Sequence, residues 1–511
     1  MSNAFADAAR SESRRKLTDN GAKAYASTGN AMLDLFSSIG AMRNADETTI
    51  TTLLADAYKE NPLLAAKAMF YTRDIRGERV GKGERKTFRT MLKWMANNHP
   101  EAVIPNIPLI GVYGRYDDLY TLIDTPCESA MWEYMKEQID TDYSNMCYNR
   151  GHEDGKKKPV SLLCKWMKSI HTSSAESRAL AVKTYKNLGF PSEKMYRQIL
   201  SEMRAYIPVL ERQMSDGKWD EIDYEHIPAV AMKTYRAVFD RHDIHDTFFE
   251  YKQAVKDGTA KINASTLFPY DLVSPYLDNY WDTGTEDDII EAQWKAMPDY
   301  IGKEINALVM CDVSGSMFSD IAGRHNLPIK AAVGLAIYFA EHNKGEFHNL
   351  FMTFSGNPNY VTLRGETLCQ KVKNTVKADW ANNTNMHKAF RKILQTGVDN
   401  KLSNDEMPKA IIVISDMQID SCTNSSWSFY HDMKKEFALQ GYEIPRVIFW
   451  NVNCAKPTML VDDKNRDGVQ LISGLNAKTF AEIIDNVSAT AEELMMNCLT
   501  NPRYDAVTIN N

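Results

Sequence analysis

The most specific chemistry in this sequence sits in one short run. ALVMCDVSGSM places Asp312, Ser314 and Ser316 as D-x-S-x-S directly after an apolar stretch. A second apolar stretch, AIIVIS, ends at Asp416, and between them ADWANNTNMHKAF carries Thr384 in a polar segment ahead of a helical pattern. Two carboxylates and three hydroxyls form an all-oxygen donor set suited to a hard octahedral divalent cation, Mg²⁺ or Mn²⁺, with water completing its shell. Hydroxyl ligands neutralise nothing, so such an ion keeps a strong pull on an outside carboxylate or other anionic oxygen. The competing reading is a capped turn without metal, because Ser and Asp also crowd ordinary turns. His387, three residues after Thr384, is the nearby candidate base, but its expected place is packed on its own helix. With no HExxH, no two-metal carboxylate cluster and no GxSxG, P-loop or Rossmann fingerprint, the expectation is a protein that is not an enzyme.

A second concentration of chemistry is cationic. YTRDIRGERVGKGERKTFRTMLKWM holds Arg73, Arg76, Arg79, Lys82, Arg85, Lys86, Arg89 and Lys93 against only Asp74, Glu78 and Glu84. On a helix turning about 100° per residue, Lys82, Arg85, Arg89 and Lys93 share a face about 80° wide, with Phe88, Met91, Leu92 and Met95 on the other side. Arginine forks suit phosphate, and Arg115 in GRYDDL, GKKKP at 155–159, Lys165 and Lys168 extend the basic set. A solvated helix face is the plain alternative. For Arg115 a structural ion pair with Asp117 or Asp118 is the preferred one. Phe70, Tyr71, Tyr113 and Tyr116 are candidates for stacking on bases, with a place in the core as the leading alternative for each.

These residues need elements to hold them, and the chain is long enough for several domains: 511 residues, 44% hydrophobic, 25% charged, 10% aromatic. That composition excludes a disordered, collagenous or membrane-embedded chain. The formal charge of −7 argues against coating nucleic acid through bulk positive charge, so any such binding needs a local patch. The eight cysteines are dispersed without a CxxC pair, which suggests neither a disulfide framework nor zinc. The first thirty residues lack a continuous apolar core and no stretch nears eighteen apolar residues, so a cytoplasmic location is expected.

From about Leu33 to Tyr251 apolar residues recur at helical spacing, with helices expected near 50–58, 84–97, 129–139, 174–187, 192–203 and 229–239. After the acidic segment at 281–300 the pattern changes to strands alternating with helices. Strands are expected at 306–312, 346–354, 409–416, 446–452 and 469–473, with helices near 328–341, 366–377, 385–395 and 427–440 and a last one from about Asn476. The expected fold is α + α/β: an all-α, HEAT-like N-terminal region and a C-terminal doubly wound parallel sheet, at whose strand ends ligands collect. The divisions expected are a disordered 1–17, a helical region at 18–280, an acidic linker at 281–300, the sheet domain at 301–498 and an irregular tail at 499–511.

The order D-x-S-x-S, then Thr, then Asp resembles the metal-ion-dependent adhesion site of the von Willebrand factor A (vWA) family. The resemblance implies that Asp312 holds the ion mainly through water, that Ser314, Ser316 and Thr384 contribute hydroxyls, and that Asp416 acts from outside the directly coordinating atoms. FYTRDIRGERVGKGER, YGRYDDL, SLLCKWMKS, YRQILSEMRAYIPVLERQM and KINASTLFPYDLV, taken together, resemble an uncharacterised family in which a TROVE-like helical region precedes a vWA domain. TROVE is the RNA-binding module of Ro proteins; GERV departs from the compact RGGKGER form expected there. The resemblance implies a basic helical ring closed by the vWA domain, gripping single-stranded RNA ends and structured non-coding RNA through Arg73, Arg76, Lys82, Arg85, Lys86, Arg89, Lys93, Arg115 and Lys165. A flexible strand fits such an opening while a duplex about 20 Å wide stays outside. The alternative function is a metal-dependent adaptor that captures a partner's carboxylate at the vWA site.

Overall fold

The computed structural model describes residues 4–510 apart from 153–155, 208, 279–284, 322, 326, 355, 378–384, 420–428 and 462–466. The first 300 residues are predominantly helical. Expected helices appear with small shifts at their ends: Glu47–Glu60, Arg85–Asn98, Ala175–Asn187, Glu193–Tyr206 and Ala229–His242, while Glu128–Gly151 runs much longer than its apolar pattern. Several start on a side-chain cap that accepts an otherwise unpaired backbone N–H, as Asp46, Asn61, Ser174 and Ser192 do. From Ala31–Ile39 through Pro100–Val103, each helix packs on its sequence neighbour.

The second half is built on a mixed sheet. A small antiparallel hairpin, β1 (Arg15–Leu17) and β2 (Lys23–Tyr25), precedes it in the chain. The sheet strands are β3 (Ala307–Asp312), β4 (Leu350–Phe354), β5 (Asn359–Thr362), β6 (Ala410–Ser415), β7 (Arg446–Asn451) and β8 (Val469–Ser473). Their order is β5-β4-β3-β6-β7-β8, with every pairing parallel except β4 with β5. The sheet is therefore doubly wound but not wholly parallel. β3 and β6 are buried at every position, which explains why they read as continuous apolar runs.

One apolar core runs through both halves. It joins Leu35, Phe36, Tyr71 and Phe88 of the helical half to Ile412, Trp450 and Ile472 on one face of the sheet. Both ends of the helical half touch the sheet half: Ala31–Ile39 lies against β8, and Pro269–Leu277 against the helix Leu327–His342. The approach at the first contact is close enough that a Cβ on Gly40 would stand 2.4 Å from the Ser473 carbonyl oxygen. The opposite face of the sheet has its own core, in which Ala22, Ala24 and Tyr25 of the hairpin join Leu308, Met310 and Phe390.

Several expected boundaries differ from this arrangement. Residues 4–17, expected to be disordered, form the helix Ala4–Ser13 and β1. Within the expected acidic linker, Asp288–Lys295 is a helix that buries Ile290 and Trp294 in the shared core. The C-terminal tail folds back on the helical half, with Tyr504 fully buried and the Tyr113 hydroxyl donating to the Arg503 carbonyl at 2.6 Å. The expected last helix is two, Lys478–Asp485 and Ala491–Leu499, the second opened by a Thr490–Glu493 capping box.

Candidate functional site

β3 and β6 are adjacent parallel strands, so their carboxyl ends bring Asp312 and Asp416 to the same edge of the sheet. Asp312 is fully buried; its Oδ1 accepts from the Ser314 backbone N–H at 2.9 Å and its Oδ2 from the Ser415 hydroxyl at 2.5 Å. The Ser314 and Ser316 hydroxyl oxygens lie 3.2 Å apart. Asp416, 3% exposed, accepts from the Gln418 N–H at 3.1 Å and interacts with the Ser316 side chain. The turn after β6 passes through Met417 at φ 63°, a left-handed conformation disfavoured for a residue with a side chain, and the Met417 N–H donates to the Ser415 hydroxyl at 3.0 Å.

Burial and the neighbouring Asp416 charge push the Asp312 carboxyl well above the usual carboxylate range, and burial pushes Asp416 up as well. Neither makes an ion pair with a lysine or arginine among the described residues. A hard divalent cation fits this donor set: two buried carboxylates that lack a balancing charge, beside hydroxyls able to share the coordination shell. No three His, Cys, Asp or Glu side chains come together as a metal cluster among the described residues, so an ion here would also need hydroxyl and water oxygens. Thr384 lies outside the described residues. Ser415 was not anticipated; its place immediately before Asp416, at the end of an apolar strand, was the available signal. His387 packs edge-on against Phe429, and burial pushes its pKa down.

The cations fare differently, and the single basic helix face expected from the sequence does not form. Lys82 precedes the helix, which begins at Arg85, and is fully buried; its Nζ donates to Glu482 Oε2 at 2.5 Å and to the Thr479 hydroxyl at 3.0 Å. The loop bringing it there needs Gly81 at φ 98°, where a Cβ would stand 2.4 Å from the Asp74 carbonyl oxygen. Arg73 is buried with Nε 2.7 Å from Asp118. Arg89 pairs with Asp118 at 2.6 Å and Asp117 at 2.9 Å, and Arg115 with Asp117 at 2.6 Å. Arg73, Lys82, Arg89 and Arg115 are thus tied to carboxylates, the arrangement already preferred for Arg115.

Arg76 donates to backbone carbonyls, including that of Val112 at 3.1 Å. Lys86 donates to the Arg43 carbonyl at 3.1 Å, and Lys93 to that of Ile123. Arg85 is exposed and makes no ion pair among the described residues. The Arg115 guanidinium lies 4.0 Å from the Trp166 ring centroid, Lys165 5.8 Å from the same ring, and Lys168 5.5 Å from that of Tyr120. Phe70, Tyr71 and Tyr113 are buried and Tyr116 half-buried against the shared core, so core packing is their structural role.

No helix among the described residues is long and apolar enough to cross a membrane. Residues 306–502 match the family described as Domain of unknown function (DUF7788). The chain is 27% identical over 526 residues to the Uncharacterized protein L728 of Acanthamoeba polyphaga mimivirus, covering 96% of this chain and 88% of that protein. Among solved structures, the Ro (RSR) protein of Deinococcus radiodurans is similar at a TM-score of 0.41 and 14% identity, over 84% of this chain and 92% of that one. Residues 18–114 and 137–304 match the family described as Domain of unknown function (DUF2828), and with over half its length inside that match the chain belongs to this family.

Proposed function

We propose that this chain is a non-enzymatic binding protein whose sheet half holds Mg²⁺ or Mn²⁺ in a vWA-type site and uses it to capture an anionic oxygen, in the first instance a partner's carboxylate. The observation that carries this reading is the convergence of Asp312, Ser314, Ser316, Ser415 and Asp416 at the ends of two adjacent buried strands. Asp312, Ser314, Ser316 and Asp416 are the described residues that would hold the ion, with Thr384 as the further hydroxyl the sequence pattern supplies. Bound there, the ion supplies Lewis acidity toward an outside oxygen. The protein's own contribution is to hold the carboxylates dry and ready. Calorimetric titration with Mg²⁺ and Mn²⁺ tests the site, and binding that persists unchanged in an Asp312→Ala, Ser314→Ala protein rejects it.

A second reading, single-stranded RNA binding of Ro type by the helical half, is favoured by one local arrangement. Arg115 and Lys165 flank the half-buried Trp166, with Lys168 over Tyr120 nearby, which is the mix of cations and ring faces that unpaired bases use. EDTA separates the readings: it abolishes carboxylate capture at the metal and leaves phosphate-driven RNA binding largely intact.

A further inference from the structure

On the helical half, Glu193–Tyr206, the segment 169–171 and the start of Leu210–Ser215 enclose a groove of about 400 Å³. It is lined by Arg197, Arg204, Arg212 and His171, and no carboxylate lines it among the described residues. Arg204 is fixed in place: its Nε donates to the Cys164 carbonyl at 2.9 Å, Nη1 to the Ser169 hydroxyl at 2.8 Å and Nη2 to the Met167 carbonyl at 2.6 Å. All three acceptors are neutral, so its charge is oriented but not cancelled. Arg197 donates to His171 Nε2. Arg197 makes no ion pair among the described residues, and Arg212 keeps one loose pair, its Nε 3.7 Å from Asp216 with both side chains about half exposed. Such an exposed pair is weak enough to be exchanged for a ligand.

Three guanidinium groups facing one groove, in a chain whose net charge is −7, make a local field opposite in sign to the whole. The groove also has an apolar wall, Ile170 and Leu200, 8% and 4% exposed. Cations alone would suit any small anion; the wall calls for an organic group attached to it. Guanidinium forks match phosphate oxygens in pairs, and a phosphomonoester carries about −1.5 to −2 charges where a diester carries one.

We infer that this groove binds a phosphomonoester, its phosphate between Arg197, Arg204 and Arg212 and its organic part on Ile170 and Leu200. The inference depends on neither the metal site nor the Trp166 surface. A free nucleotide and the phosphorylated end of a nucleic-acid strand share this chemistry.

The test is calorimetry on the full chain with inorganic phosphate, adenosine, AMP and a short oligoadenylate bearing either a 5′-phosphate or a 5′-hydroxyl. AMP is expected to bind about tenfold or more tighter than either phosphate or adenosine. Arg197→Gln with Arg212→Gln, both exposed in the structure, is expected to weaken AMP by about tenfold or more while leaving the melting temperature within the scatter of repeats. A 5′-phosphate strand that outbinds both its 5′-hydroxyl form and AMP identifies the strand end as source; AMP binding alone identifies a free nucleotide. AMP that binds no tighter than adenosine, or with unchanged affinity in the double variant, overturns the inference.

Discussion

Replacing Lys82 by Met separates a structural lysine from an RNA-binding one. Lys82 and Glu482 are both fully buried, and the pair joins the loop before Arg85 to the helix Lys478–Asp485 of the sheet half. Glu482 also accepts from the Tyr71 hydroxyl at 2.9 Å and the Gly81 N–H at 3.2 Å, both through Oε1, so among the described residues Lys82 alone answers Oε2. Removing one partner of a buried ion pair leaves a charge with no water to solvate it, at a cost of about 3 to 5 kcal/mol. Adding Glu482→Gln removes the stranded charge and keeps a carbonyl oxygen for Tyr71 and Gly81. What remains is an amide NH₂ without an acceptor, costing about 1 to 3 kcal/mol. The double variant is therefore expected to be about 2 kcal/mol more stable than Lys82→Met alone. Urea unfolding followed by tryptophan fluorescence, with both variants at matched pH and salt, measures the difference. A Lys82→Met protein within about 0.5 kcal/mol of wild type, the range of ordinary surface changes, would refute the buried-pair argument and return Lys82 to the list of phosphate ligands.

Asp312→Asn removes a carboxylate that burial and Asp416 already disfavour in its charged form, so it is expected to abolish Mg²⁺ binding in calorimetry without lowering the unfolding midpoint; a clear drop in that midpoint would show a purely structural carboxylate. Lys478 is 3% exposed, and burial lowers its pKa to about 8. Below pH 8 it is charged in both states and the fold bears the burial penalty. Between 8 and 10.5 only the unfolded chain keeps the proton, so stability rises with pH, by on the order of 3 kcal/mol in all. The difference in unfolding free energy between wild type and Lys478→Met should therefore change across that window, and a flat difference contradicts the depressed pKa. On the RNA reading, Arg85, Lys86 and Lys165 are the expected cations that no carboxylate ties among the described residues, so log K for a single strand should fall against log salt with a slope of about −2, near −0.7 per contact. Arg85→Gln should lower that slope by about one contact, whereas a strand whose affinity is insensitive to both salt and Arg85 excludes the reading.

How far the sequence revealed this molecule varied with the range of the interactions involved. β3 and β6 stood out because strands buried on both faces must be apolar throughout, and the carboxylates ending them could be placed on one sheet edge from the alternation of elements alone. β5 was missed: NYVT is four residues long with a single buried position, the signature of a short antiparallel edge. The break in the last helical stretch was hidden because apolar residues recur at helical spacing across it, from Phe480 through Val487 to Met495, although Val487 is 42% exposed. The cationic face misleads because helical periodicity cannot run back past Gly83 and Gly81, which sit at positive φ in the loop before the helix. The partners of those cations lie far along the chain, Asp118 for Arg73 and Glu482 for Lys82, and no local pattern announces a distant carboxylate.

The apolar core shared by the helical half and the sheet half bears on how the protein can be dissected. A cut near residue 300 follows the change in sequence pattern, yet it would strip β8 of Ala31–Ile39 and leave the helix Leu327–His342 without Pro269–Leu277. Separately expressed fragments should be sticky and poorly soluble, and co-expressing them should rescue both, because each half serves as the other's missing wall.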